Sequence, residues 1–85
     1  MQLKVKRMGE GQHPSEVVVA VRTADGSDEK LIVYKRSIRQ GDMLEIGYPV
    51  GEDRDELLVE LPRESLRGIW RIWVKRELVT REAAA

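Results

Sequence analysis

The sequence predicts an all-β fold, and three observations carry that expectation. Apolar residues alternate with other positions in six short runs, Leu3/Val5, Val17/Val19/Val21, Leu31/Val33, Leu44/Ile46/Tyr48, Leu57/Val59/Leu61 and Trp70/Ile72/Val74; period two is that of a strand with one face in a core. Turn-forming residues separate the runs: Gly9, Gly11 and Pro14, then Asp25-Gly26, Gln40-Gly41-Asp42, Pro49 with Gly51, and Gly68. The chain has 85 residues, enough for one small core and too few for a catalytic scaffold beside a second module.

Taken in order, Leu3/Val5 reads as a short first strand. The runs at 17–21 and 31–33 flank Asp25-Gly26, whose glycine accepts the positive φ that a tight hairpin turn demands, so these strands are expected to pair antiparallel. The runs at 44–48 and 57–61 enclose an acid-rich turn. After Pro62 two readings compete. Arg63, Arg67, Arg71 and Lys75 recur at helical spacing, whereas Gly68 and the run Ile69-Trp70-Arg71-Ile72-Trp73-Val74 suit a pleated strand. The strand is preferred for residues 69–75, with Trp70, Ile72 and Val74 inward. Val19, Leu44, Ile46, Val59, Trp70 and Ile72 are then expected among the most buried residues. Residues 76–79 read as a short helical turn returning Leu78 or Val79 to the core. One domain over residues 1–79, without an internal repeat, and a frayed tail over 80–85 complete the reading.

The closing order of strand, single helical turn and Leu78-Val79 resembles the end of an SH3-like barrel. That resemblance implies a small barrel of five to six short antiparallel strands, with at most a short helical turn near the C-terminus. It carries no information about a ligand.

Composition excludes several chemistries. There is no cysteine and a single histidine, His13, which removes thiol catalysis, disulfides and the usual zinc ligand sets. The carboxylates Asp25, Asp28, Glu29, Asp53, Asp55 and Glu56 sit in or beside turns, where solvation keeps them from the raised pKa of a general acid. Gly9 and Gly11 lack the further glycine and helix of a phosphate-binding loop. The chain is therefore expected to be no enzyme, with no catalytic residues, no metal and no cofactor. The charged N-terminus and the absence of any long apolar run predict a cytoplasmic protein that does not enter membranes.

Charge is segregated along a chain whose formal net charge is +0. Residues 30–41 carry Lys30, Lys35, Arg36 and Arg39 and no acid; residues 42–60 carry Asp42, Glu45, Glu52, Asp53, Asp55, Glu56 and Glu60 against Arg54; from residue 61 the balance returns to basic. Neighbouring strands of opposite sign would account for this through cross-strand pairs. Alternatively a basic side meets an acidic partner, a second copy included. If residues 69–75 form a strand, Trp73 emerges outward between Arg71 and Lys75, and tryptophan and arginine are common interface anchors. The sequence therefore points to protein binding or self-association through Trp73, Arg71, Lys75, Arg36 and Arg39. The alternative is a nucleic-acid-associated module in which the same indole stacks a base beside phosphate contacts. A sequence pI near 6.6 argues against a dedicated nucleic-acid binder.

Two short stretches, Arg7-Met8-Gly9-Glu10 and Val74-Lys75-Arg76-Glu77-Leu78, resemble motifs of the carbon storage regulators, small β RNA-binding proteins. Carried over, the resemblance implies an RNA-contacting role for Arg76. The two stretches lie much farther apart here than in that family, with the acidic segment between them, a departure that puts the likeness down to a shared β-strand pattern.

Overall fold

The computed structural model describes residues 1–81 and contains ten short strands and two 3-10 turns among them, with no α-helix. The strands are β1 (Gln2–Lys4), β2 (Lys6–Glu10), β3 (Glu16–Arg22), β4 (Asp28–Tyr34), β5 (Ile38–Arg39), β6 (Met43–Glu45), β7 (Gly51–Asp53), β8 (Glu56–Glu60), β9 (Arg71–Lys75) and β10 (Val79–Thr80). The 3-10 turns are Lys35–Ser37 and Arg76–Leu78. All pairings are antiparallel, and they build three sheets: β10-β1-β6-β5, β2-β3-β4 and β7-β8-β9. The all-β expectation holds at that level. The SH3-like barrel does not follow from it, because the strands form three separate sheets rather than one closed one.

The core is made by the alternating positions of every sheet. Leu3, Val19, Val21, Leu31, Leu44, Val59 and Val74 are fully buried, and Val5, Val17, Val33, Leu57, Leu61 and Ile72 nearly so. Ile46, Ile69, Leu78 and Val79 pack against this cluster while partly buried. The hairpin predicted around Asp25-Gly26 is present as β3 and β4, paired from Glu16 with Tyr34 to Arg22 with Asp28, and the positive φ falls on Gly26.

Two expected core residues are corrected. Ile46 is only partly buried. Trp70 is 45% exposed, because inside–outside alternation governs only the paired pleat and β9 begins one residue later, at Arg71. Its ring lies under the Arg71 guanidinium, 4.7 Å from the ring centre. The four-residue recurrence of cations after Pro62 is not a helix: Arg63 and Arg67 lie in the loop after β8, Arg71 and Lys75 in β9. Each has its own carboxylate, Glu16, Glu29, Glu60 and Glu56 respectively. Thr80, assigned to the tail, pairs with Gln2 in the central sheet; residues 82–85 of that tail lie outside the described residues.

No repeat is visible in the sequence, yet the strand arrangement has an approximate two-fold. At the centre of the molecule β1 and β6 pair antiparallel with Leu3 opposite Leu44. The bonds from Val5 N–H to Asp42 O and from Ile46 N–H to Met1 O, both 3.0 Å, are images of one another. The same approximate two-fold relates the sheet β2-β3-β4 to β7-β8-β9, and β5 on β6 to β10 on β1. Val19 facing Leu31 corresponds to Val59 facing Ile72, and Val17 facing Val33 to Leu57 facing Val74. The 3-10 turns correspond too, through Lys35 N–H to Ser15 O at 2.8 Å and Arg76 N–H to Asp55 O at 2.7 Å.

The halves interlock, since each contributes a loop to the other's outer strand. Ala24 N–H donates to Trp73 O at 2.7 Å, and Leu66 N–H to Lys30 O at 2.8 Å. The loops differ in reach, however. The 62–70 loop runs beside β4 and is fastened twice, Arg63 to Glu16 at 3.5 Å and Arg67 to Glu29. The 23–27 turn is shorter and makes a single backbone bond to β9.

One tight contact gives a stability prediction. Gly11 N–H donates to Glu16 O at 3.2 Å, and a Cβ on Gly11 would stand 2.5 Å from the Glu16 Cβ. Gly11→Ala should therefore cost about 1–3 kcal/mol in thermal unfolding, the usual cost of overpacking. Gly9→Ala, where a Cβ meets open space, should be close to neutral. Equal melting temperatures for the two variants would contradict the close approach.

Candidate functional site

Strand β9 places Ile72 and Val74 inward and Arg71 and Trp73 outward. Its register with β8 sets Glu60 opposite Arg71, Leu58 opposite Trp73 and Glu56 opposite Lys75. The Trp73 ring therefore lies across Leu58 towards Gly51; a Cβ on Gly51 would come within 3.7 Å of the ring. The indole remains 39% exposed, outward as the alternation requires.

The flanking cations have partners on the protein itself. Arg71 Nε donates to Glu60 Oε2 at 3.0 Å, and Lys75 Nζ lies 3.6 Å from Glu56 and 3.8 Å from Asp55. Arg39 pairs with Glu45 at 3.0 Å in the central sheet. Arg36 lies over the Tyr34 ring, 4.6 Å from its centre, and Arg63 lies 4.4 Å from the same centre. Arg71 and Trp73 share one cleft, whereas Lys75, Arg36 and Arg39 do not line it. Arg76 is engaged by Glu52 at 3.1 Å and by the carbonyl of Arg54 at 2.7 Å. The charge segregation seen along the chain is thus largely spent within the molecule as cross-strand and loop–strand pairs.

The cleft, about 590 Å³, opens where the 23–27 turn meets β9. Trp73, Ile69, Ala24 and Ile72 give it an apolar floor; Asp25, Glu29, Asp53 and Glu56 supply carboxylates, and Arg67 and Arg71 supply cations. Asp25 is built into its turn through one oxygen. Its Oδ1 accepts from the Thr23 hydroxyl, from Ser27 N–H at 3.1 Å and from the Ser27 hydroxyl at 2.8 Å. These bonds, led by that from Thr23, hold its carboxyl down at about 2. Glu29 is covered by Arg67, whose Nε donates to Oε1 at 3.4 Å and whose second nitrogen engages Oε2. The bond from Arg67, aided by Ser65, keeps the Glu29 carboxyl below its ordinary value against the opposing effect of burial.

The outward indole is legible along the chain, whereas the gathering of Asp25, Asp53 and Glu56, solvated turn carboxylates by sequence, beside it is not. Asp25, Asp53 and Glu56 are ordinary turn and strand carboxylates along the chain, and no local signal distinguishes them. They share a cleft because the turn after β3 reaches across to the other half's β9, a contact set by the two-fold arrangement of the sheets. Among the described residues no group of three or more His, Asp or Glu side chains converges as a metal ion would require. No helix is long and apolar enough to cross a membrane. No model of a protein family matches this chain, and no curated protein or solved structure does so either.

Proposed function

We propose that the protein is a non-enzymatic, cytoplasmic protein-interaction module that binds through the outer face of β7-β8-β9 around Trp73. The observation that carries this reading is the Trp73 indole, set opposite Leu58 with its ring reaching Gly51 and still 39% exposed. A large ring fixed by its sheet and open to water is a pre-organised contact anchor, because little side-chain entropy remains to be lost on binding. The nucleic-acid reading has less support. Arg71, Lys75 and Arg39 already have carboxylate partners, and phosphate binding would have to displace them. Self-association through Arg71 and Lys75 against the acidic stretch of a second copy loses its charge argument for the same reason. The paired endings of strand, 3-10 turn and strand support relating each half to the SH3-like folds; this kinship bears on architecture alone.

Selection of a displayed random-peptide library on the folded protein tests the reading. Wild type should enrich peptides whose binding is lost in Trp73→Ala, while that variant unfolds within about 1 kcal/mol of wild type, the scale of one cross-strand contact. Sedimentation at rising concentration should show no self-association that depends on Trp73. Unchanged peptide binding by the variant, or its failure to fold, would return Trp73 to a purely structural role.

A further inference from the structure

We infer that the cleft beside Trp73 receives a basic side chain, arginine or lysine, from an extended segment of a partner protein. The inference rests on the reading of the Trp73 face as a contact surface and names the chemistry of what is bound. Three observations on the cleft lead to it.

The first is the balance of charge that remains once internal pairs are discounted. Arg67 is committed to Glu29 and Arg71 to Glu60, so neither cation is available without breaking a pair. On the acidic side Asp25 uses only Oδ1 in its turn, and Oδ2 accepts no hydrogen bond from the described residues. The Asp53 carboxylate makes no ion pair or side-chain hydrogen bond among the described residues, and Glu56 shares a single Lys75 with Asp55. Although the Arg67 cation also acts on Asp25, carboxylates outnumber cations among the groups lining the cleft, Asp25, Glu29, Asp53 and Glu56 against Arg67 and Arg71, opposite to the sign suggested by the sequence around Trp73.

The second is the indole itself. An aromatic face attracts a cation through its quadrupole, and a guanidinium or ammonium group can meet the ring and a neighbouring carboxylate together. Trp73, Asp25 and Asp53 line the same cleft. A small apolar floor with a few polar groups suits one side chain, and the volume is in the range that ligand sites occupy.

The third observation selects a peptide over a free amine. The bonds from Leu61 N–H to Trp70 O and from Arg76 N–H to Asp55 O fix the phase of β9. Ile72 and Val74 thus direct their backbone groups at β8, and Arg71, Trp73 and Lys75 direct theirs at the outer edge. Trp73 O takes Ala24 N–H. Arg71 N–H, Arg71 C=O and Trp73 N–H have no protein partner among the described residues. Each edge takes one backbone bond from the other half's loop, Leu66 N–H to Lys30 O on β4 and Ala24 N–H to Trp73 O on β9; the 62–70 loop is further fastened by Arg63 and Arg67, whereas among the described residues the shorter 23–27 turn adds no ion pair to β9. An extended segment can pair with these groups while its side chain enters the cleft, the usual division of labour in strand addition.

The experiment is an NMR titration of the uniformly ¹⁵N-labelled full chain with two capped hexapeptides, one alternating valine and arginine, the other valine and glutamate. The arginine peptide should shift the Trp73 indole N–H and the amides of Arg71, Trp73 and Asp53. Its affinity should fall at least about tenfold in Asp53→Lys, less in Asp53→Asn, and on raising salt. The glutamate peptide should leave these resonances in place. Shifts at Trp73 from the glutamate peptide alone, or from both peptides equally, would overturn the cation site and leave the contact surface standing. Shifts confined to residues away from the cleft, or none from either peptide, would likewise overturn it, and the Trp73-dependent peptide selection then decides separately whether the surface binds at all. Asp53→Asn keeps size and shape, so misfolding of the lysine variant would not obscure the result.

Discussion

Leu44→Ala should lower the free energy of unfolding by about 3 kcal/mol, a loss of roughly 15 °C in melting temperature for a domain of this size. Leu44 is fully buried at the centre of β6, opposite the equally buried Leu3 of β1. Truncation loses the transfer free energy of the removed carbons and leaves a cavity at the junction of the two halves, where both would have to move to fill it. Small domains hold only about 5–15 kcal/mol in total. Leu3→Ala should cost nearly as much, because the two-fold places it in an equivalent environment. The double variant should depart from additivity, since the two side chains border one cavity. Chemical denaturation of the three variants checks this; costs below about 1 kcal/mol, or strict additivity, would mean that the halves do not meet through these leucines. Ile46→Ala, at the edge of the core, should cost less than Leu44→Ala.

Acid should weaken the protein through Glu29. Its carboxyl lies below the ordinary 4.5 because Arg67 and Ser65 hydrogen-bond the charged form. A carboxyl whose folded-state pKa is depressed contributes stability that is complete above the unfolded value and lost as pH falls through the folded one. The melting temperature should accordingly be level above pH 4.5 as far as this group is concerned and decline below it. Asp25, depressed from 3.8 to about 2, extends the decline to lower pH, with a smaller contribution because its turn is open to solvent. Glu29 is sealed by one guanidinium and sits just beneath the surface, its side chain 2% exposed against 69% for Arg67. Glu29→Gln should lower the melting temperature at neutral pH and flatten its decline below pH 4.5. Arg67→Met should do the same and also speed amide exchange in residues 62–70, because it unfastens that loop from β4. An acid profile unchanged in Glu29→Gln would assign the decline to other carboxylates.

Much of the architecture was legible along the chain. Alternation found the inward faces of β3, β4, β8 and β9, and Asp25-Gly26 located the β3–β4 hairpin, because strand period and turn chemistry are local properties. The repeat was not legible. Its counterparts exchange one aliphatic residue for another, Val17 for Leu57 and Leu31 for Ile72, which preserves burial without preserving sequence. The long 62–70 loop against the short 23–27 turn conceals the correspondence further. Trp70 was misplaced because alternation cannot say where a paired strand begins.

The sequence by itself determined that strands form, which faces of most of them are apolar and that Trp73 points away from Ile72 and Val74. Only the tertiary structure decided what surrounds that indole. Arg71 and Lys75, on either side of Trp73 in the pleat, are paired with Glu60, Glu56 and Asp55 on neighbouring segments, while Asp25 arrives from the opposite half. Sequence neighbours set which charges a strand carries, and strand register and the crossing of two halves set which of them are paired within the molecule.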